Sequence, residues 1–151
     1  MSIVLLALAT VAVVGTIRTL TDNTSGDNSV NPSNFDNVLV DESVFTGKTI
    51  FFVNNIVGNS MEPLFGEGDN IYYIEVDDVT TLKIGDIIVF QRPNRPEGTI
   101  LAHRIYRIYD EGTRFETKGD NNEQTDAQST VGPFFVTEPY IYGLVIGVNQ
   151  G

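Results

Sequence analysis

Hydrophobic and polar positions along this chain fall into three regimes. The first, "MSIVLLALATVAVVGTI", carries no charged side chain before Arg18. Its length is near the lower limit for crossing a bilayer core, which takes roughly 17 to 25 apolar residues. It shows no polar face of the kind a buried core helix presents, and it lacks the basic start of a cleaved signal peptide. Residues 1–17 are therefore expected to form a transmembrane anchor. The second regime, "TDNTSGDNSVNPSNFDN", is rich in Asn, Ser, Asp and Gly, a composition that buries too little surface to offset its ordering entropy. It reads as a polar linker over residues 18–37. The third begins at Val38, with the segments "TIFFVNNIV", "NIYYIEV", "DIIVFQR", "TILAHRIYRI", "TRFETKG" and "YIYGLVIGV". Each is short, β-branched and aromatic, and Gly, Pro or Asp separates it from the next. No long helical period and no internal repeat occurs among them. Residues 38–151 are expected to form one mostly β domain of short strands closed against one another.

Charge and composition narrow the function classes. The chain has 151 residues, with 20 acidic against 9 basic side chains and a formal net charge of -11. That sign repels nucleic acid instead of recruiting it. The lysines are only Lys48, Lys83 and Lys118, and the acids are scattered, a pattern suited to a solvated surface in a high-salt cell. There is no cysteine, which excludes disulfides, thiolate metal sites and a cysteine nucleophile. One histidine, His103, excludes any site needing two imidazoles. The acidic segment "GDNNEQTD" lacks the spacing and the closing bidentate glutamate of a calcium loop. No metal or organic cofactor is expected.

What remains is hydroxyl chemistry. "GNSMEPLFGEGD", residues 58–69, places Ser60 at a tight bend after an apolar strand, with Gly58, Gly66 and Gly68 permitting unusual backbone angles or close approach. A lone turn serine is ordinarily just a turn residue, and its hydroxyl is inert without a base in hydrogen-bond reach. His103 is the one imidazole available, on a strand where it alternates with Leu101, Ile105 and Arg107 against Ile100, Ala102, Arg104, Tyr106 and Ile108. By itself it reads as a half-buried strand histidine. An unperturbed imidazole titrates near pH 6.5, about right for taking a serine proton and returning it to a leaving amine. A carboxylate to orient that imidazole could come from Asp120 or Asp126 in "TKGDNNEQTDA", which otherwise reads as a polar turn. Lys48 and Lys118 are the alternative bases. A noncatalytic anchored β-domain that binds peptides is the alternative of another class.

In order and approximate spacing, "GNSMEP", "GDIIVF", "AHRI", "KGDNN....D" and "IYGLV" resemble the type I signal peptidases. The likeness is to the archaeal and endoplasmic-reticulum branch, in which a histidine stands where bacterial enzymes use a lysine. It covers roughly residues 50–145. The resemblance implies Ser60 as nucleophile, His103 as general base and acid, and Asp120 and Asp126 as the acidic residues of the site. It also implies a β catalytic domain held by an N-terminal anchor on the outer side of the cell membrane, in contact with lipid, acting on signal-peptide-bearing preproteins. No second membrane segment is expected after "GLVIGV". The pattern departs at Gly58, where bacterial relatives often carry a hydroxyl that helps bind the oxyanion, so backbone N–H groups, that of Ser60 among them, would have to serve.

Overall fold

The computed structural model describes residues 18–20, 35–95 and 98–151, so the expected anchor and most of the expected linker lie outside the described residues. Among the described residues no helix is long and apolar enough to cross a membrane. They form one nine-stranded sheet, antiparallel at every pairing. The strands are β1 (Arg18–Leu20), β2 (Asn37–Val38), β3 (Ile50–Val53), β4 (Asn70–Ile74), β5 (Ile87–Gln91), β6 (Ile100–Tyr109), β7 (Arg114–Lys118), β8 (Val136–Thr137) and β9 (Ile141–Asn149). Their order is β1-β3-β4-β9-β5-β6-β7-β8, with β2 also on β9. All six segments read as strands are strands, and the mostly β class holds.

The near-continuous apolar runs have a direct explanation: the sheet is buried on both faces. Along β5, Ile88 and Phe90 enter one core cluster with Ile74, Ile105, Phe115 and Ile146. The alternate residues Ile87 and Val89 enter a second with Val53, Met61, Ile71 and Val145. β9 sits at the centre because it changes partner along its length. It pairs β4 on one side; on the other it pairs β5 through Leu144 and then β2 at Gly147 and Val148. Phe35, in "SNFDN", already belongs to the first cluster, its ring centroid 4.4 Å from that of Tyr72.

One strand face differs from the alternation read in the sequence. Ile108 was grouped with Ile100 and Ala102, yet it packs with Leu101 and Ile105 on the first cluster, whereas Ile100 and Ala102 pack on the second. The cause is a bulge in the β6–β7 ladder: Ile105 pairs with Thr117 but Arg107 with Glu116, leaving Tyr106 as the extra residue. An inserted residue reverses the facing of everything beyond it. His103 lies before the bulge, so its facing is as the sequence indicates.

Candidate active site

Three segments far apart in sequence meet at Ser60. The first is the loop between β3 and β4. It is closed at its base by hydrogen bonds joining Ile56 to Gly68 and Asp69, and pinned to the second cluster by Met61 and Phe65, 2% and 3% exposed. Burying two such side chains is worth about 1.5–3 kcal/mol each, enough to hold a short loop in one place. Gly58 has φ +97°, a left-handed angle that a side chain would strain. Pro63 is exposed, so Met61 and Phe65 hold the bend.

The second segment is β6, which presents His103 beside Ile88 of β5, its ring in a T-shaped contact with that of Phe90. The third is the run after β7. It passes through Gly119 and Asp120 and ends in a single 3-10 turn, Asp126–Gln128, capped by Thr125.

The geometry at their meeting point is a continuous hydrogen-bonded series. His103 Nε2 lies 3.1 Å from Ser60 Oγ, and His103 Nδ1 lies 2.8 Å from Asp126 Oδ2. Thr117 Oγ1 donates to the same carboxylate oxygen at 2.5 Å. His103, Asp126 and Thr117 are all buried, at 5%, 8% and 0% exposure, and Ser60 is half-buried at the surface. A carboxylate can only accept, so it places the imidazole proton on Nδ1 and leaves a lone pair on Nε2 facing the serine hydroxyl.

The two aspartates left open by the sequence separate cleanly. Asp126 touches His103. Asp120 instead takes both forks of Arg104, with Nε to Oδ1 at 2.8 Å and Nη2 to Oδ2 at 2.6 Å. These bonds hold the Arg104 guanidinium above its ordinary pKa, against the opposing effect of partial burial. Arg104 also donates to Gly85 O at 2.8 Å, so Asp120 ties its own loop to β6 and to the turn before β5. From there Asn121 N–H donates to Ser60 O at 2.8 Å, and Asn121 Nδ2 donates to Asn59 O at 3.1 Å. Asp120 thus reaches Ser60 through the backbone it braces. Of the alternative bases, Lys48 is paired with Asp77 at 2.6 Å and Lys118 stands opposite Arg104 in the ladder. The nitrogen at the Ser60 hydroxyl is that of His103.

Thr117, Arg104 and Asn121 did not stand out in the sequence. Thr117 was findable: it shares its strand face with Phe115, so alternation marked it as a polar group in a core position. Gly119 matters for space. A Cβ there would lie 2.6 Å from Ser60 O and 2.7 Å from Asn122 Nδ2. Gly119→Ala is expected to destabilise the fold by about 1–3 kcal/mol in denaturant unfolding, because backbone must move.

Beside Ser60 is a small cavity of about 30 Å³, lined by Ile56, Met61, Phe65, Leu101 and Ala102 among others. It has room for about one or two water-sized groups. β7 pairs with β6 only from Arg104 onward, which leaves the Ile100–His103 edge, next to this cavity, without a β7 partner.

Comparison with known proteins finds signal peptidases among the relatives of this chain. Signal peptidase I W of Bacillus subtilis is 37% identical over 79 residues, 51% of this chain and 40% of that protein. The signal peptidase complex catalytic subunit sec11 of Schizosaccharomyces pombe is 31% identical over 115 residues, 59% of this chain and 60% of that protein. The human catalytic subunit SEC11C is 31% identical over 74 residues, 47% of this chain and 37% of that protein. The chain therefore matches roughly half the length of these relatives. No protein-family model and no solved structure matches it. In sequence the chain is similar both to a bacterial signal peptidase I and to catalytic subunits of signal peptidase complexes.

Proposed function

We propose that the chain is a membrane-anchored serine endopeptidase that removes N-terminal signal peptides from exported preproteins. The observation that carries this reading is the unbroken series from Ser60 Oγ through His103 to Asp126. Ser60 attacks the carbonyl at the cut while its proton passes to His103 Nε2. Asp126 stabilises the imidazolium, and His103 returns the proton to the departing amine. Water then attacks the acyl-enzyme by the same route. The Ser60 N–H is the first donor to the oxyanion, in the absence of a hydroxyl at Gly58. Residues 1–17 anchor the catalytic domain on the extracytoplasmic side of the cell membrane, next to lipid, with the polar run after them as the linker.

The cleft supports the substrate class. An extended peptide adding to the Ile100–His103 edge, which no strand among the described residues covers on the β7 side, makes backbone hydrogen bonds whatever its sequence, and the cavity beside Ser60 admits only a small side chain. The test is cleavage of a precursor with a defined signal sequence by the purified full chain in detergent, reading the new N-terminus by mass spectrometry. A cut after Ala or a similarly small residue is expected, with Leu at that position slowing cleavage by about a hundredfold or more. An uncut precursor, or equal cutting after Leu, overturns the reading.

A further inference from the structure

We propose that Glu116 is a positioning residue that fixes Asp126 against His103 through Thr125, an inference resting on the reaction proposed above. Glu116 is a carboxylate in the interior, 3% exposed, on β7 immediately before Thr117. Its two oxygens have separate partners. Thr125 Oγ1 donates to Oε1 at 2.6 Å, and Tyr109 OH donates to Oε2 at 2.9 Å. The nearest cation is the half-exposed Arg107, whose Nη1 is 3.7 Å away. A buried carboxylate with so weak an ion pair is a poor choice for stability, since an apolar side chain of the same volume ordinarily does as well or better. The proposed reaction contains no step for it either.

Its position explains it. Successive residues of a strand point to opposite sides, so Glu116 and Thr117 leave β7 in opposite directions. Each captures one of two successive residues of the returning chain: Glu116 takes the Thr125 hydroxyl and Thr117 takes the Asp126 carboxylate. Asp126 opens a 3-10 turn of only three residues, too short to hold a side chain in place by its own hydrogen bonds. Held at Thr125 from one side of β7 and at Asp126 from the other, the peptide joining them has little freedom to rotate. Asp126 Oδ2 is thereby kept on His103 Nδ1. The Gln128 side chain, whose Oε1 accepts from Thr125 N–H at 3.4 Å, is a weaker support.

The test compares Glu116→Leu, Thr125→Val and the double variant, the last because it removes both ends of the Thr125–Glu116 bond and leaves only the part-buried Tyr109 hydroxyl to find another partner if a single variant fails to fold. kcat is expected to fall about tenfold in each, with KM within about twofold and the double no slower than the slower single, since both act through one contact. Glu116→Gln, which keeps an acceptor for Thr125, is expected to restore most of the rate. His103 is the only histidine, so its imidazole gives one unambiguous set of NMR signals. The Nδ1 proton resonance should move upfield in the double variant as the bond to Asp126 loosens. A folded double variant with unchanged kcat and an unchanged His103 resonance overturns the proposal. If the wild-type chain cuts no precursor, the reaction is wrong, while the resonance still decides whether Glu116 positions Asp126.

Discussion

Ser60→Ala is expected to abolish processing, lowering kcat/KM for a signal-peptide substrate by about 10⁴- to 10⁶-fold while the precursor still binds. The hydroxyl is the only atom lost, and the loop that carries it is anchored by Met61, Phe65 and the Asn121 contact to Ser60 O, none of which the substitution touches. The variant should therefore fold as the wild type does, which makes the loss interpretable. Timed mass spectrometry of a defined precursor, with binding followed separately by fluorescence anisotropy, checks both halves. Full cleavage by the alanine variant would mean that another group is the nucleophile.

Asp126→Asn is expected to be the next most severe, about 10³- to 10⁴-fold in kcat. An amide cannot hold His103 as the carboxylate does. Turning its N–H₂ toward the ring moves the imidazole proton from Nδ1 to Nε2, so that Ser60 faces a donor where it needs an acceptor. Asp120→Asn should behave differently. Its partner is Arg104, and the effect arrives through the loop that holds Ser60 O, so a loss of about tenfold or less is expected, with lowered thermal stability. Measuring kcat and the unfolding midpoint for both variants separates orienting His103 from bracing the loop. Equal losses in kcat would collapse that distinction.

Much of this architecture was legible in the sequence because its strands are short, apolar and punctuated by turn residues. "DIIVFQR" could be read as a strand since no helix of useful length fits between its Gly and Pro neighbours, whereas its burial on both sides shows only in the fold. The very short strands were not legible. Asn37–Val38 and Val136–Thr137 carry no periodicity of their own and are strands only because β9 and β7 offer them edges. Arg18–Leu20, inside the stretch read as linker, likewise pairs with β3. Of the site, Ser60 and His103 were recoverable from chemistry, being a hydroxyl at a bend and the only imidazole. Choosing between Asp120 and Asp126 was not, because both follow β7 in one polar run and the choice depends on where that run turns back. Arg104 decides it by taking Asp120 on the other side of the strand from His103. Glu116 was hidden for a related reason: in "TRFETK" a glutamate on a strand reads as solvent-facing, and it takes the returning Thr125 together with Tyr109 to make that side of β7 an interior.

The separation of the reacting groups along the chain has a consequence for biosynthesis. Ser60 and His103 are 43 residues apart, His103 and Asp126 a further 23, and the Asn121 amide that steadies the serine loop contacts Asn59 across 62. None of these contacts forms until β5, β6 and β7 are paired, and non-local pairings of this kind are the slow ones. A nascent or half-folded molecule therefore carries a serine without its base. Under the proposed reaction, peptidase activity therefore appears only with the completed sheet, and a chain released before β7 is paired is inert toward the precursors around it.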